Sequence, residues 1–169
     1  MKKSINLYEI QGQINKCISL LDTQDANVDE ALQELRIIQQ KLQIRGPVLL
    51  VDEDQDLLEL LYEALRDYGF DVLTARSGED ALQLSAQYRE LGVPFCVAVV
   101  GLLKAKGKST MEILPELRKD NPQLKVILSS GNLTEAAVVI SEFQHFWNHL
   151  PKPYSIGKMC NLVARAVQN

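Results

Sequence analysis

The stretch Val48-Leu49-Leu50-Val51-Asp52-Glu53-Asp54 decides the fold: four consecutive apolar residues end abruptly on three carboxylates. A short, continuous apolar run with a sharp polar stop is the mark of a strand buried on both faces, as in a parallel sheet. Its carboxyl end then delivers Asp52, Glu53 and Asp54. A second run, residues 95–100, stops at Gly101. A third segment ends in Leu150, Pro151, Lys152 and Pro153, which sets one ammonium beside a proline that is a candidate for a cis bond. Acids and a lysine are expected to converge at one end of the sheet, with glycine where the middle strand stops.

Outward from that core, strands and helices alternate. Leu57, Leu58, Leu60, Leu61, Ala64 and Leu65 form an apolar helical face closed by Gly69, a C-terminal stop. Residues 70–75 form the second strand. Ser77 can cap the next helix, with Ala81, Leu82 and Leu84 inward, before Gly92, Val93 and Pro94 return the chain to the third strand. Thr110 is expected to cap the third helix, which Pro115 should kink or delay because it lies beyond the first turn. Then come a strand at 124–128, a helix at 135–143, a strand at 146–150 and a last helix at 155–167. Five such βα units predict a parallel sheet covered on both faces.

Residues 1–46 read differently, and the chain divides near Arg45, Gly46 and Pro47. Leu7, Ile10, Ile14, Cys17 and Leu21 follow a heptad-like spacing that Val28, Ala31, Leu35, Ile38 and Leu42 resume in the same phase. The polar interval 22–27 breaks the pattern, and Asn27 with Glu30 resembles a capping box, so a helical hairpin is expected rather than one continuous coiled-coil helix. Each arm would be roughly 25 Å long and would bury too little surface to be stable alone. Homodimerisation through residues 5–44, or docking on a partner, is the functional expectation; packing on the chain's own α/β domain is the plain alternative.

Composition sets the outer limits. An apolar fraction of 46%, with 24% charged residues, is ordinary for a globular chain. A formal net charge of -4 supplies no basic face for a nucleic-acid backbone. Cys17, Cys96 and Cys160 are odd in number and lack metal-ligand spacing, which fits reduced thiols in a cytoplasmic protein. Lys2 and Lys3 are followed by Asn6, Glu9, Gln11 and Gln13 rather than an apolar signal core, and no run approaches the ~20 residues of a membrane span. A soluble chain with no membrane partner is expected.

In an open α/β sheet a site lies beyond the carboxyl ends of the strands, where strand order reverses. Asp52, Glu53, Gly101, Ser130 and Lys152 all fall there. From Pro47 to about Val167 the chain resembles the receiver domain of two-component response regulators. The segment Val48-Leu-Leu-Val-Asp-Glu-Asp, the turn Ala75-Arg-Ser-Gly-Glu-Asp-Ala-Leu, Ser129-Ser-Gly after the fourth strand and Lys152-Pro-Tyr after the fifth match in order and spacing. The resemblance implies a flavodoxin-like fold, Mg²⁺ held by Asp52 and Glu53 with Asp54 just beyond, and phosphoryl contacts from Ser130 and Lys152. It also implies a phosphoacceptor aspartate where Gly101 stands, and a switch aromatic where His149 stands.

Glycine has no side chain with which to attack a phosphoryl donor or to ligate Mg²⁺. The resemblance therefore implies a degenerate pseudo-receiver: a non-enzymatic module that acts through protein contacts, with a histidine kinase or another regulator as partner, no required cofactor, and at most weak Mg²⁺ binding. The chain runs out just after its last helix, so output is expected from the receiver surface or the hairpin. Two alternatives stay open, phosphotransfer through Asp52 or Asp54 and the sensing of a small ligand in the acidic pocket. Without an acceptor, Asp52 and Lys152 are expected to form an internal ion pair.

Two local patterns lead elsewhere. Lys104, Lys106 and Lys108 alternate in the loop after Gly101, where they either bind an acidic partner or are simply solvated. Gly107-Lys108-Ser109-Thr110 invites a phosphate-loop reading, but five residues separate Gly101 from Gly107 where the motif needs four. His145 and His149 stand four apart, but a strand beginning between them makes a shared metal site improbable.

Overall fold

A computed structural model describes residues 28, 30, 31, 33, 47–103, 107–143 and 145–168. The chain divides into two compact units, Met1–Arg45 and Gly46–Asn169. In the first unit the described residues Val28, Glu30, Ala31 and Gln33 are helical. Ala31 is buried, whereas Val28 is 52% exposed. The remaining seam positions and the expected hairpin turn lie outside the described residues.

The second unit alternates strands and helices in the predicted order: β1 (Val48–Val51), α1 (Gln55–Asp67), β2 (Val72–Ala75), α2 (Gly78–Glu90), β3 (Val97–Gly101), α3 (Thr110–Asp120), β4 (Lys125–Ser130), α4 (Leu133–Glu142), β5 (Phe146–Pro151) and α5 (Ile156–Gln168). All pairings are parallel, in the strand order β2-β1-β3-β4-β5. The order reverses between β1 and β3, which opens a crevice at their carboxyl ends.

Strand alternation splits the core into two layers. On one face Leu49, Val51, Ala98, Val100, Val126 and Leu128 pack with residues of α2, α3 and α4, among them Ala81, Ile113, Leu117 and Ala136. On the other, Val48, Leu50, Val97, Val99 and Ile127 meet Leu58, Leu61 and Leu65 of α1 and Met159, Cys160 and Val163 of α5. β1, residues 97–100 of β3 and residues 126–128 of β4 are apolar on both faces because both faces are covered, which is why they are continuous hydrophobic runs in the sequence.

Helix ends follow local chemistry. Asp54 caps α1 by accepting the Leu57 amide at 3.1 Å, and Gly69, at φ 84°, terminates it in the left-handed conformation that favours glycine. Ser77 caps α2 through the Asp80 amide at 3.1 Å. On the inward face of α2, Ala81 and Ser85 are buried, and Leu82 and Leu84, half-buried, pack against the same core.

The expected start of α3 is also corrected. Ser109, not Thr110, is the cap, because Glu112 three residues on completes a capping box with its side chain and backbone. Pro115 does not delay the helix, which begins at Thr110 and runs through the proline to Asp120. Leu60, assigned to the apolar face of α1, is 48% exposed. In β5 the pairing skips from Phe146 opposite Val126 to Asn148 opposite Ile127, so Trp147 is an extra residue in this edge strand. The Asn148 side chain also accepts the His149 backbone N–H at 2.7 Å, which blunts the edge.

Candidate functional site

Sheet register brings the site together. Val51 stands opposite Val100 and Gly101 opposite Ser129, so Asp52, one residue past β1, lies beside Gly101 at the end of β3. Ser130 ends β4 opposite Pro151, which delivers Lys152 to the same rim, and the Lys152 amide donates to the Ser130 carbonyl at 2.7 Å. Every strand-end residue singled out in the sequence is thus gathered at one end of the sheet. The Lys152–Pro153 bond is cis.

Charge at this rim is paired. Lys152 Nζ donates to Asp52 Oδ2 at 2.6 Å, with side chains 29% and 16% exposed respectively, so the expected internal ion pair is present. The other carboxylate oxygen, Oδ1, accepts the Asp54 amide at 3.2 Å. Asp54 points the other way and caps α1. Glu53 sits half-buried between them in sequence.

Gly101 is buried, and its missing side chain has a defined consequence. A Cβ built there would stand 2.6 Å from Asp52 Oδ2, 3.0 Å from Asp52 Cγ and 3.2 Å from the Val51 carbonyl oxygen. The Asp52 carboxylate therefore occupies the root of the space an acceptor side chain would fill. Beneath it a cavity of about 10 Å³, bounded by Asp52, Gly101, Ser129 and Tyr154, has room for about one water and no more.

Ser130 Oγ lies 3.2 Å from His149 Nε2 and 3.4 Å from the Asn132 carbonyl, so its hydroxyl is engaged within the fold. His149 is half-buried on β5. Two contributors were missed in the sequence. Ser129 donates to the Tyr154 hydroxyl at 3.1 Å, and burial pushes the Tyr154 phenol above its ordinary value, an effect the Ser129 hydrogen bond only partly offsets. Thr110 donates to the Gly101 carbonyl at 2.8 Å and accepts the Leu103 amide at 2.9 Å, tying the end of β3 to the start of α3. Its burial to 2% explains why a residue first assigned to a cap does a different job.

The loop after β3 is also pinned at its far end. Glu79, in the first turn of α2, accepts the Lys108 amide at 2.7 Å. Gly78 lets the Lys108 carbonyl approach, since a Cβ there would come within 2.5 Å of that oxygen. The Lys108 ammonium pairs with Glu116, so it is committed within the chain. Lys104, Ala105 and Lys106 lie outside the described residues.

The Mg²⁺ site that the resemblance implied lacks a carboxylate from β3; of its two acids after β1, Asp52 is ion-paired to Lys152, and Asp54 just beyond is a helix cap. Among the described residues no group of three or more acidic, histidine or cysteine side chains is placed to hold a metal ion.

A doubly wound sheet in this strand order, with its acids on β1 and its lysine after β5, defines a receiver-type domain. The sequence model for the response regulator receiver domain matches residues 48–164, and the chain belongs to that family. Among its relatives, the DNA-binding transcriptional regulator NtrC of Escherichia coli K12 is 26% identical over 125 residues, covering 74% of this chain and 25% of that protein. The transcriptional regulatory protein CpxR of Klebsiella pneumoniae is 33% identical over 108 residues, covering 64% of this chain and 43% of that one. The chain thus spans a quarter to under a half of the length of these relatives. In structure it is similar to a receiver domain protein from Clostridium thermocellum, with a TM-score of 0.62, 23% identity, and coverage of 73% of this chain and 94% of that one. Among the described residues no helix is long and apolar enough to cross a membrane.

Proposed function

We propose that this chain is a pseudo-receiver: a two-component signalling module that keeps the receiver fold, is not phosphorylated at the usual position, and acts through contacts with other proteins in the cytoplasm. The observation that carries this reading is Gly101, buried at the end of β3 where the family's acceptor aspartate belongs. Phosphorylation switches a protein by adding charge at a site that biases two states, and a position with no side chain cannot accept that charge. Ser130 and Lys152, the phosphoryl-contact positions, are engaged by His149 and Asp52 instead. His149 replaces the switch aromatic, which supports the same conclusion. A histidine kinase or another regulator is the fitting partner class, and residues 5–44, with their heptad-like seam, are the proposed dimerisation or docking element.

The test is covalent. Purified protein is incubated with acetyl phosphate and Mg²⁺, trapped with borohydride and mapped by mass spectrometry. No acylphosphate above background is expected on the α/β unit.

A second reading draws on the 2.6 Å contact between Asp52 and Lys152, which sets a carboxylate next to the lysine of a receiver site. A trapped adduct on Asp52 would establish that reading and remove the first.

A further inference from the structure

We infer that Asp52 is a built-in stand-in for the missing acceptor carboxylate, so that the site is permanently self-liganded and closed to phosphoryl groups. The inference rests on the pseudo-receiver reading and specifies how that site is held.

Three observations converge on it. The oxygen Asp52 Oδ2 lies 2.6 Å from where a Cβ of residue 101 would be, well inside van der Waals contact, so a side chain at position 101 and this placement of Asp52 cannot coexist unless one of them shifts. That same oxygen takes the Lys152 ammonium at 2.6 Å, and the second oxygen is held by the Asp54 amide. Both oxygens of the carboxylate are thus engaged within the chain.

The glycine and the ion pair are therefore one arrangement rather than two independent changes. With Asp52 placed as it is, an acceptor aspartate at 101 would compete with it for the same space and for Lys152. Removing the side chain from β3 lets the β1 carboxylate reach across and neutralise Lys152. That contact ties the segment after β5 to the end of β1 without any modification.

A carboxylate swap tests this in the full chain. Amide hydrogen exchange at Leu150, Lys152 and Tyr154 is compared in wild type, Asp52→Ala, Gly101→Asp and the double variant. Asp52→Ala and Gly101→Asp are each expected to speed local exchange by ~10-fold, the effect of freeing a partly buried ammonium or crowding its partner. The double variant, which moves the carboxylate from β1 to β3, should return to within ~3-fold of wild type, in the manner of a strongly coupled cycle. Acceleration in the double variant equal to the product of the two singles would overturn the inference.

If Gly101→Asp does not fold alone, Asp52→Ala is titrated with sodium acetate. Slowing of exchange at Lys152 by millimolar acetate supports the stand-in, and no response up to 100-fold that range contradicts it. Beryllofluoride with Mg²⁺ is added to wild type in parallel. A response there removes the pseudo-receiver reading, whereas a failed swap in an unresponsive wild type removes only the stand-in.

Discussion

Replacing Gly101 with alanine adds one methyl group and should nevertheless destabilise the domain. The new Cβ would lie 2.6 Å from Asp52 Oδ2 and 3.2 Å from the Val51 carbonyl oxygen. Relieving that contact by moving the carboxylate disturbs its bond to Lys152. A surface ion pair contributes about 0–1 kcal/mol, and breaking a fully buried one costs about 3–5 kcal/mol. With side chains 16% and 29% exposed, this pair falls between those limits, so its loss costs about 2 kcal/mol.

The reduced freedom of the unfolded chain gives back about 0.4–1 kcal/mol. The net loss is then about 1–1.5 kcal/mol, or roughly 3–5 °C in Tm for a domain of this size. Trp147, the sole tryptophan, lies on β5 close to Lys152 in sequence, so thermal and urea unfolding followed by its fluorescence report on the α/β unit. In an Asp52→Ala background the same methyl group should be neutral or slightly stabilising. A Gly101→Ala protein as stable as wild type, or an equal loss in both backgrounds, would refute the reasoning.

Thr110→Val keeps the shape of the side chain but strands the Gly101 carbonyl and the Leu103 amide in a buried place; a loss of about 1–3 kcal/mol is expected in urea unfolding. The Tyr154 phenol, raised above its ordinary value of 10.0 by burial, stabilises the fold below that value, and the contribution is lost as pH climbs through the raised one. Tyr154→Phe should accordingly flatten the alkaline limb of a stability-versus-pH curve, and an unchanged limb would contradict the assignment. Glu112 is held below its ordinary 4.5 chiefly by the Ser109 backbone N–H, then by the Ser109 hydroxyl. Its help to α3 is complete above 4.5 and disappears as pH falls through the lower folded value. Glu112→Gln should make the protection of amides in the first turn of α3, measured against their intrinsic exchange, independent of acid over that window, and protection that still falls with acid would contradict this.

The fold was legible because its three central strands are covered on both faces and so cannot hide among amphipathic segments. Residues 48–51, 95–100 and 126–128 are apolar without alternation, and turn residues such as Gly69 mark the ends of the helices between them. The sheet ends of the site were legible for the same reason, since each apolar run stops at the carboxyl end of its strand.

What escaped the sequence was set by tertiary contact. Ser109 and Thr110 are both good caps, and the choice between them depended on Glu112 closing a box and on Thr110 being pulled under the Gly101 carbonyl. Pro115 is tolerated within α3, although propensity argues against it. The extra residue at Trp147 depends on pairing with β4, which has no local signature. That Asp52 would bend to Lys152 was foreseen from the need to pair a buried ammonium. That it would fill the room vacated by the side chain of residue 101 follows only from the parallel register, which sets β1 beside β3.

The central claim is that the pocket no longer answers to phosphorylation. Amide NMR shifts of Gly101, Ser130 and Lys152, followed while beryllofluoride and Mg²⁺ are raised to millimolar levels, test it directly. The account predicts no localised, saturable change at these three residues; a saturable, Mg²⁺-dependent shift at them would contradict it.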